Sequence, residues 1–346
     1  MGRLVARILA RSWRATTTPF DVSGLEDSQL QGAVRILNSS GSGALALNSL
    51  DAKAPISEEL RTRMRNLHRY YAITNAVHEQ SLIAAFALLR EHGIEALLLK
   101  GWAIGRMYPD SSRRPFGDID ICVKPHQFEA AETAFKAAAI TGADIDLHSG
   151  FSKFYEVIDE DIWERSRLVD LKGAQIRVPA EEDHFRHVCL HFLRHGGKRT
   201  IWACDICVAI EMRSVDFDWQ LALGSSELQR HWVGIAVGIA AGLLDCDTTG
   251  ISPEIRLDTL PQWVRDTVLR AWGRPFHFPP PLSSAAGSLS ALLREIPKHW
   301  PNKIEATVNF NRSFGSKPRF IVQLTDVASK GARVIAQTRG LVKVPK

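Results

Sequence analysis

Between Leu97 and Pro125 the chain runs LLLKGWAIGRMYPDSSRRPFGDIDICVKP. An apolar run ends in Lys100-Gly101, a polar loop follows, and Gly117 opens a second apolar run with Asp118 and Asp120 set into it. In a strand, alternate residues share a face and lie roughly 7 Å apart in Cα. Asp118 and Asp120 therefore point one way, while Ile119, Ile121 and Val123 point to a core. Two carboxylates on one face repel each other and resist desolvation, so they require either open solvent or a cation between them.

Working outward, Ser57 to His92 contains no Gly or Pro and carries apolar residues at helical intervals, among them Leu60, Met64, Leu67, Ala76, Ile83 and Phe86. Gly93 stops that helix. Residues 94–101 read as a buried strand, 117–123 as a second, and Pro125 opens a helix at a position where a missing N–H costs nothing. Residues 143–150 give a third strand carrying Asp146 and His148 in the same alternate spacing, and 174–179 a fourth. After Glu181 the pattern turns helical, with segments around HFRHVCLHFLRH, IWACDICVAIEMR, WVGIAVGIAAGLL and LPQWVRDTVLRAW, and GRPFHFPPPLSSAAGS reads as a linker.

The expected fold class is α+β, a small mixed sheet flanked by helical segments. The expected division is a basic amphipathic arm over 1–20, a helical segment over 21–92, an α/β core over 93–180, a helical segment completing the cleft over 181–273, and a linker with a basic tail over 274–346. If the second and third strands are neighbours, Asp118, Asp120 and Asp146 converge, and a hard divalent cation such as Mg²⁺ or Mn²⁺ is the natural counter-charge. Carboxylate-held metals beside a glycine able to approach phosphate suggest phosphoryl or nucleotidyl transfer.

These residues resemble a known family. Leu99-Lys100-Gly101, Tyr108-Pro109-Asp110, Arg114-Pro115-Phe116-Gly117-Asp118-Ile119-Asp120 and Asp146-Leu147-His148 are similar to the poorly characterised bacterial branch of the DNA polymerase beta-like nucleotidyltransferase superfamily, over about residues 57–212. The resemblance implies that Asp118 and Asp120 bind both metals, that Asp146 binds the catalytic metal and helps deprotonate an acceptor hydroxyl, and that Gly101 lets the backbone approach a triphosphate. Lys100, Arg113 and Arg114 are the cations available to the phosphates of an NTP such as ATP. The chain departs from the superfamily in carrying Trp102 where a small residue usually follows the glycine, and in a longer interval before Asp118.

His184, His187, His191 and His195, at spacings of three, four and four, share one helical face. Cys204-x-x-Cys207 lies downstream, yet structural zinc favours a loop-borne pair, and this one falls in an apolar helix. His191 and His195 are therefore read as lining the cleft opposite the aspartates, with His148 and Asp205 also on the substrate side and His184 at the surface. The odd count of five scattered cysteines fits a reducing cytoplasm.

The net charge of +5 resides at the ends. Residues 1–20 carry four arginines and no acid, and residues 312–346 carry eight Lys or Arg against Asp326, which leaves −6 for residues 21–311. An acidic body gives no reason to expect long nucleic acid as a partner, although the basic ends suit an acidic partner or a membrane surface. No apolar run is long enough to span a bilayer. The expected activity is Mg²⁺-dependent transfer of a nucleoside monophosphate from an NTP to a small-molecule or protein acceptor, releasing pyrophosphate. The alternatives are a non-catalytic nucleotide-binding or partner subunit of the same fold and, on the amphipathic ends alone, a peripheral membrane or scaffold protein.

Overall fold

The computed structural model describes residues 1–16, 19–50, 56–138, 144–151, 159–257, 260–277, 300–315, 320 and 322–325. Most of the expected linker and of the basic tail lie outside the described residues.

A mixed sheet forms the smaller of the two main bodies of core, and a minor cluster of Leu97, Leu99, Cys122, Phe151, Ile162 and Trp163 lies beside it. Strand β1 (Ala96–Leu98) pairs antiparallel with β2 (Asp118–Val123), and β2 pairs parallel with β3 (Asp144–Ser149). A parallel pair needs a crossover, and helix α6 (Phe128–Ala138), entered through a 3₁₀ turn at Pro125, supplies it. The register sets Asp118 opposite Asp144 and Asp120 opposite Asp146. Ile119, Ile121 and Val123 are buried with Leu98, Trp102, Phe116 and Leu82.

The strand expected at 174–179 is β5 (Ala174–Val178), and it has an antiparallel partner that the sequence reading passed over, β4 (Arg167–Leu171). The two are joined by Lys172-Gly173, both with positive φ, +51° and +88°. A two-residue turn of this kind matches the twist of a hairpin. Leu171, Ile176 and Val178 close the sheet's core.

Helix α7 (Asp159–Arg165) leads into β4, and the larger core is helical. Helices α8 (Glu181–Arg194), α9 (Thr200–Glu211) and α11 (Glu227–Leu244) pack together, with the short α10 (Trp219–Leu223) against α8. From the N-terminal side α1 (Gly2–Leu9), α2 (Asp27–Ser39) and α3 (Gly43–Ser49) join them, and from the C-terminal side α12 (Gln262–Ala271) and α13 (Lys303–Asn309). Helix α1 buries Val5, Ala6, Ile8 and Leu9. A Cβ on Gly2 would stand 1.9 Å from the Leu269 carbonyl oxygen, so that close approach to α12 admits only glycine.

Helix α4 (Glu58–Glu91), about 50 Å long at 1.5 Å per residue, runs along both cores. Ser57 caps it by accepting from the Leu60 amide. Its polar residues hold the loop that leads into β2. Asn75 donates to the carbonyls of Ser111 and Arg114 at 3.3 and 3.1 Å, and His78 Nδ1 lies 2.7 Å from the Phe116 carbonyl oxygen. The sequence reading treated α4 only as an apolar stripe and did not anticipate this role.

Candidate active site

The sheet and the helical body meet at a cleft of about 550 Å³. One wall is the open face of β2 and β3, with Asp118, Asp120, Asp146 and His148. The opposite wall comes from α8 and α9, with His187, His191, His195, Arg199, Trp202 and Asp205. Lys100 and Gly101 form the floor at the end of β1. Gly101 holds φ +60°, and a Cβ there would touch Phe116 at 3.4 Å. The short helix α5 (Trp102–Gly105) follows, and Trp102 is buried in the sheet's core, outside the cleft lining, so its bulk does not obstruct Gly101.

Asp120 is 2% exposed, and its carboxylate is met by two groups. Lys100 Nζ stands 2.8 Å from Oδ1, and His148 Nε2 stands 3.2 Å from Oδ1 and 3.4 Å from Asp146 Oδ2. Burial pushes the Asp120 carboxyl up, but the His148 hydrogen bond and the Lys100 ammonium together hold it below the ordinary carboxylate range. Asp146 is exposed at the cleft mouth. Asp118, also exposed, lies one pleat away on the same face.

Among the described residues, Asp120, Asp146 and His148 are the group whose ligand atoms all lie within 4.8 Å of one another. Two carboxylates and an imidazole suit a divalent cation, and Lys100 already fills the need for positive charge at Asp120. Asp118 lines the cleft without belonging to that group, whereas His148 does belong to it.

Arg114 and Asp205 form a second buried arrangement. Arg114 reaches both Asp205 oxygens, Nε to Oδ1 at 3.1 Å and Nη2 to Oδ2 at 2.7 Å, and the Tyr108 hydroxyl donates to Oδ1 at 2.7 Å. Burial works against the guanidinium charge and Asp205 more than restores it, so the Arg114 pKa is raised. Among the described residues Asp205 thus partners an arginine and a tyrosine. Arg113 turns the other way, to Asp110 at 2.7 Å and to the Ala44 carbonyl at 3.1 Å, outside the cleft lining.

His184 is not at the surface as expected: at 3% exposure it is buried, because the first turns of α8 are covered by α10 and α11. Burial holds its imidazole down to about 3. His187 and His191 are likewise held well below the usual value by burial and by the charge of Lys100. Cys204 and Cys207 are buried within α9 among apolar residues, as are all five cysteines in their own settings.

Arg199 and Trp202 went unremarked in the sequence reading. The Arg199 guanidinium stacks 4.9 Å from the Trp202 ring, and His191 packs edge-on to the same ring at 4.5 Å. Burial lowers the Arg199 pKa to about 10. The signal for them is their place in GGKRTIW, where a glycine pair ends one helix beside a cation and an aromatic.

A family model described as an uncharacterised nucleotidyltransferase matches residues 27–231. The chain belongs to that nucleotidyltransferase family. The match takes in β1 to β5 and both walls of the cleft, so the nucleotidyltransferase core coincides with the site built above. Its family activity is transfer of a phosphorus-containing group. Among curated proteins and solved structures none matches the chain. Among the described residues no helix is long and apolar enough to cross a membrane.

Proposed function

We propose that the nucleotidyltransferase moves a nucleoside monophosphate from an NTP to an acceptor oxygen in a Mg²⁺- or Mn²⁺-dependent reaction, on a small molecule or a protein side chain. The acceptor oxygen bonds to the α-phosphorus, the bond from that phosphorus to the bridging oxygen breaks, and pyrophosphate leaves with the electron pair. The observation that carries this reading is the register of Asp120 against Asp146, which gathers two carboxylates and His148 beside Lys100 and Gly101 in one cleft.

A divalent cation bound there would neutralise charge on the phosphoryl oxygens as a Lewis acid. Asp120, Asp146 and His148 would hold it, with Asp118 available from the next pleat. Lys100 offsets phosphate charge from the floor, and Gly101 keeps the floor open to the triphosphate. Asp146, the exposed carboxylate at the mouth, takes the proton of the acceptor hydroxyl at an Oδ. Arg114, fixed by Asp205, presents a rigid cation to the cleft, and His191, His195 and Trp202 line the wall opposite the aspartates.

Incubation of the protein with an NTP carrying label in the α-phosphate, Mg²⁺ and a cell extract is the direct test. Label should enter an acceptor with equal release of pyrophosphate, and Asp118→Asn/Asp120→Asn should abolish it. Transfer of γ-label, or undiminished transfer by the double variant, would sink the assignment. Asp146→Asn should bind NTP nearly as wild type yet transfer it about a hundredfold or more slowly, because a proton acceptor matters chiefly in the transition state.

A further inference from the structure

The loop from α8 to α9 has two sides. His195 and Arg199 line the catalytic cleft, while Lys198 between them lines a second pocket of about 470 Å³. Gly196 and Gly197, at φ +71° and +66°, make this reversal possible, and a Cβ on Gly196 would lie 2.5 Å from the Asn302 amide. The loop is clamped from the far side: Asn302 donates to the Gly196 carbonyl at 2.6 Å, and the Trp272 indole donates to the Gly197 carbonyl at 2.9 Å. It runs between the two cavities, with side chains on each side.

The second pocket is otherwise built by the end of α12, residues 274–277, the start of α13 and Gln323. Lys198, Arg270, Arg274 and Lys303 bring four cations to it, and among its described lining residues there is no carboxylate. This concentration stands out in a body, residues 21–311, that carries a net −6. Lys198 is tied at 2.6 Å to Glu305, which lies outside the lining. Phe276 stands between the cavities: it lines the second pocket, and its ring lies 6.2 Å from Trp202 and 5.2 Å from the Arg199 guanidinium of the first. Every lining residue except Lys198 falls beyond residue 231, where the family match ends. The shared transfer chemistry thus sits in the matched segment, and the basic pocket is supplied by the rest of this chain.

We infer that the second pocket is the acceptor subsite and that the acceptor is a small anion, bearing phosphate or carboxylate groups. An anionic acceptor approaching a triphosphate beside three aspartates is repelled, and cations placed behind it offset that repulsion and orient its nucleophilic oxygen past Phe276. The acceptor role rests on the nucleotidyl-transfer reading; the anion site does not.

The full-length protein, free of divalent metal, is titrated calorimetrically with inorganic phosphate and, separately, with citrate, two probes that distinguish phosphate from carboxylate recognition. At least one should bind, and Arg274→Gln/Lys303→Gln should weaken it about tenfold or more, since charge-assisted hydrogen bonds are lost. Mg-ATP affinity should stay within about twofold of wild type, and labelled product from α-labelled NTP and cell extract should fall with anion affinity. If the double variant melts below wild type, Arg274→Gln alone, at an exposed position, should still weaken the anion about threefold. Equal anion binding by wild type and variants, absence of binding by wild type, or undiminished labelled product would overturn the inference. Anion binding that depends on Arg274 and Lys303 in a protein that binds no NTP would refute the transfer reading and uphold the anion site.

Discussion

Asp120 is a buried carboxylate on an apolar strand, and Lys100 at 2.8 Å is its nearest counter-charge. A divalent cation at Asp120, Asp146 and His148 would compete with that ammonium, because two positive centres within a few ångströms of one carboxylate repel. Lys100→Met keeps the length of the side chain and removes the competitor. Mn²⁺ affinity, read from the free-ion electron paramagnetic resonance signal, should therefore tighten about tenfold, some 1.4 kcal/mol, while NTP affinity falls. Unchanged or weaker Mn²⁺ binding would show that the metal does not displace Lys100. The aspartate pair was legible in the sequence because a strand's period of two leaves little choice about which residues share a face. Which of two adjacent arginines enters the cleft was not. Arg113 and Arg114 sit in a 3₁₀ turn and its exit, where direction is set by partners far along the chain, Asp205 for one and Ala44 for the other.

At the scale of elements, the site is an alignment of three units: the sheet, the loop stitched to α4, and the wall of α8 and α9. The Arg114–Asp205 pair joins the second unit to the third across 91 positions of sequence. Asp205→Asn leaves a buried guanidinium with half its compensation and should destabilise the protein by about 3 kcal/mol, as breaking one partner of a buried pair does. Arg114→Met/Asp205→Leu, which removes both charges, should cost less than the single change when both are measured by urea denaturation. A double variant less stable than Asp205→Asn would mean that the pair holds its elements by packing alone. Strong periodicity made α4, β2 and α8 readable in advance. Strand β4 was not, since Arg167–Leu171 alternates only weakly and is exposed along most of its length; its clearest mark is the Lys172-Gly173 turn that follows. The polar stitches of α4 were hidden for a related reason: Asn75 and His78 look like solvent-facing residues until the loop they hold is in place.

For the molecule as a whole, α8 is the axis on which cleft and helical core share residues, and it carries imidazoles of lowered pKa on both sides of that boundary. His184 lies in the core near Arg106 and Arg114, and His187 and His191 face the cleft near Lys100. Each stays neutral in the fold but takes a proton once the chain unfolds, so the unfolded state binds more protons below its ordinary value of about 6.5. Stability attributable to them is therefore complete above that value. It is lost as pH falls, at about 1.36 kcal/mol per pH unit for each group, until the folded-state value is reached, about 3 for His184. Among the described residues His184 Nε2 has no hydrogen-bond partner, so replacing its ring removes the titration at small cost in polar contacts. His184→Leu should consequently flatten the dependence of stability on pH, and at pH 5 the loss relative to pH 7 should be about 2 kcal/mol smaller than in wild type. Urea denaturation at a series of pH values reads this directly. An unaltered slope would mean that His184 becomes protonated within the fold, and that the first turns of α8 open to water as the core loosens.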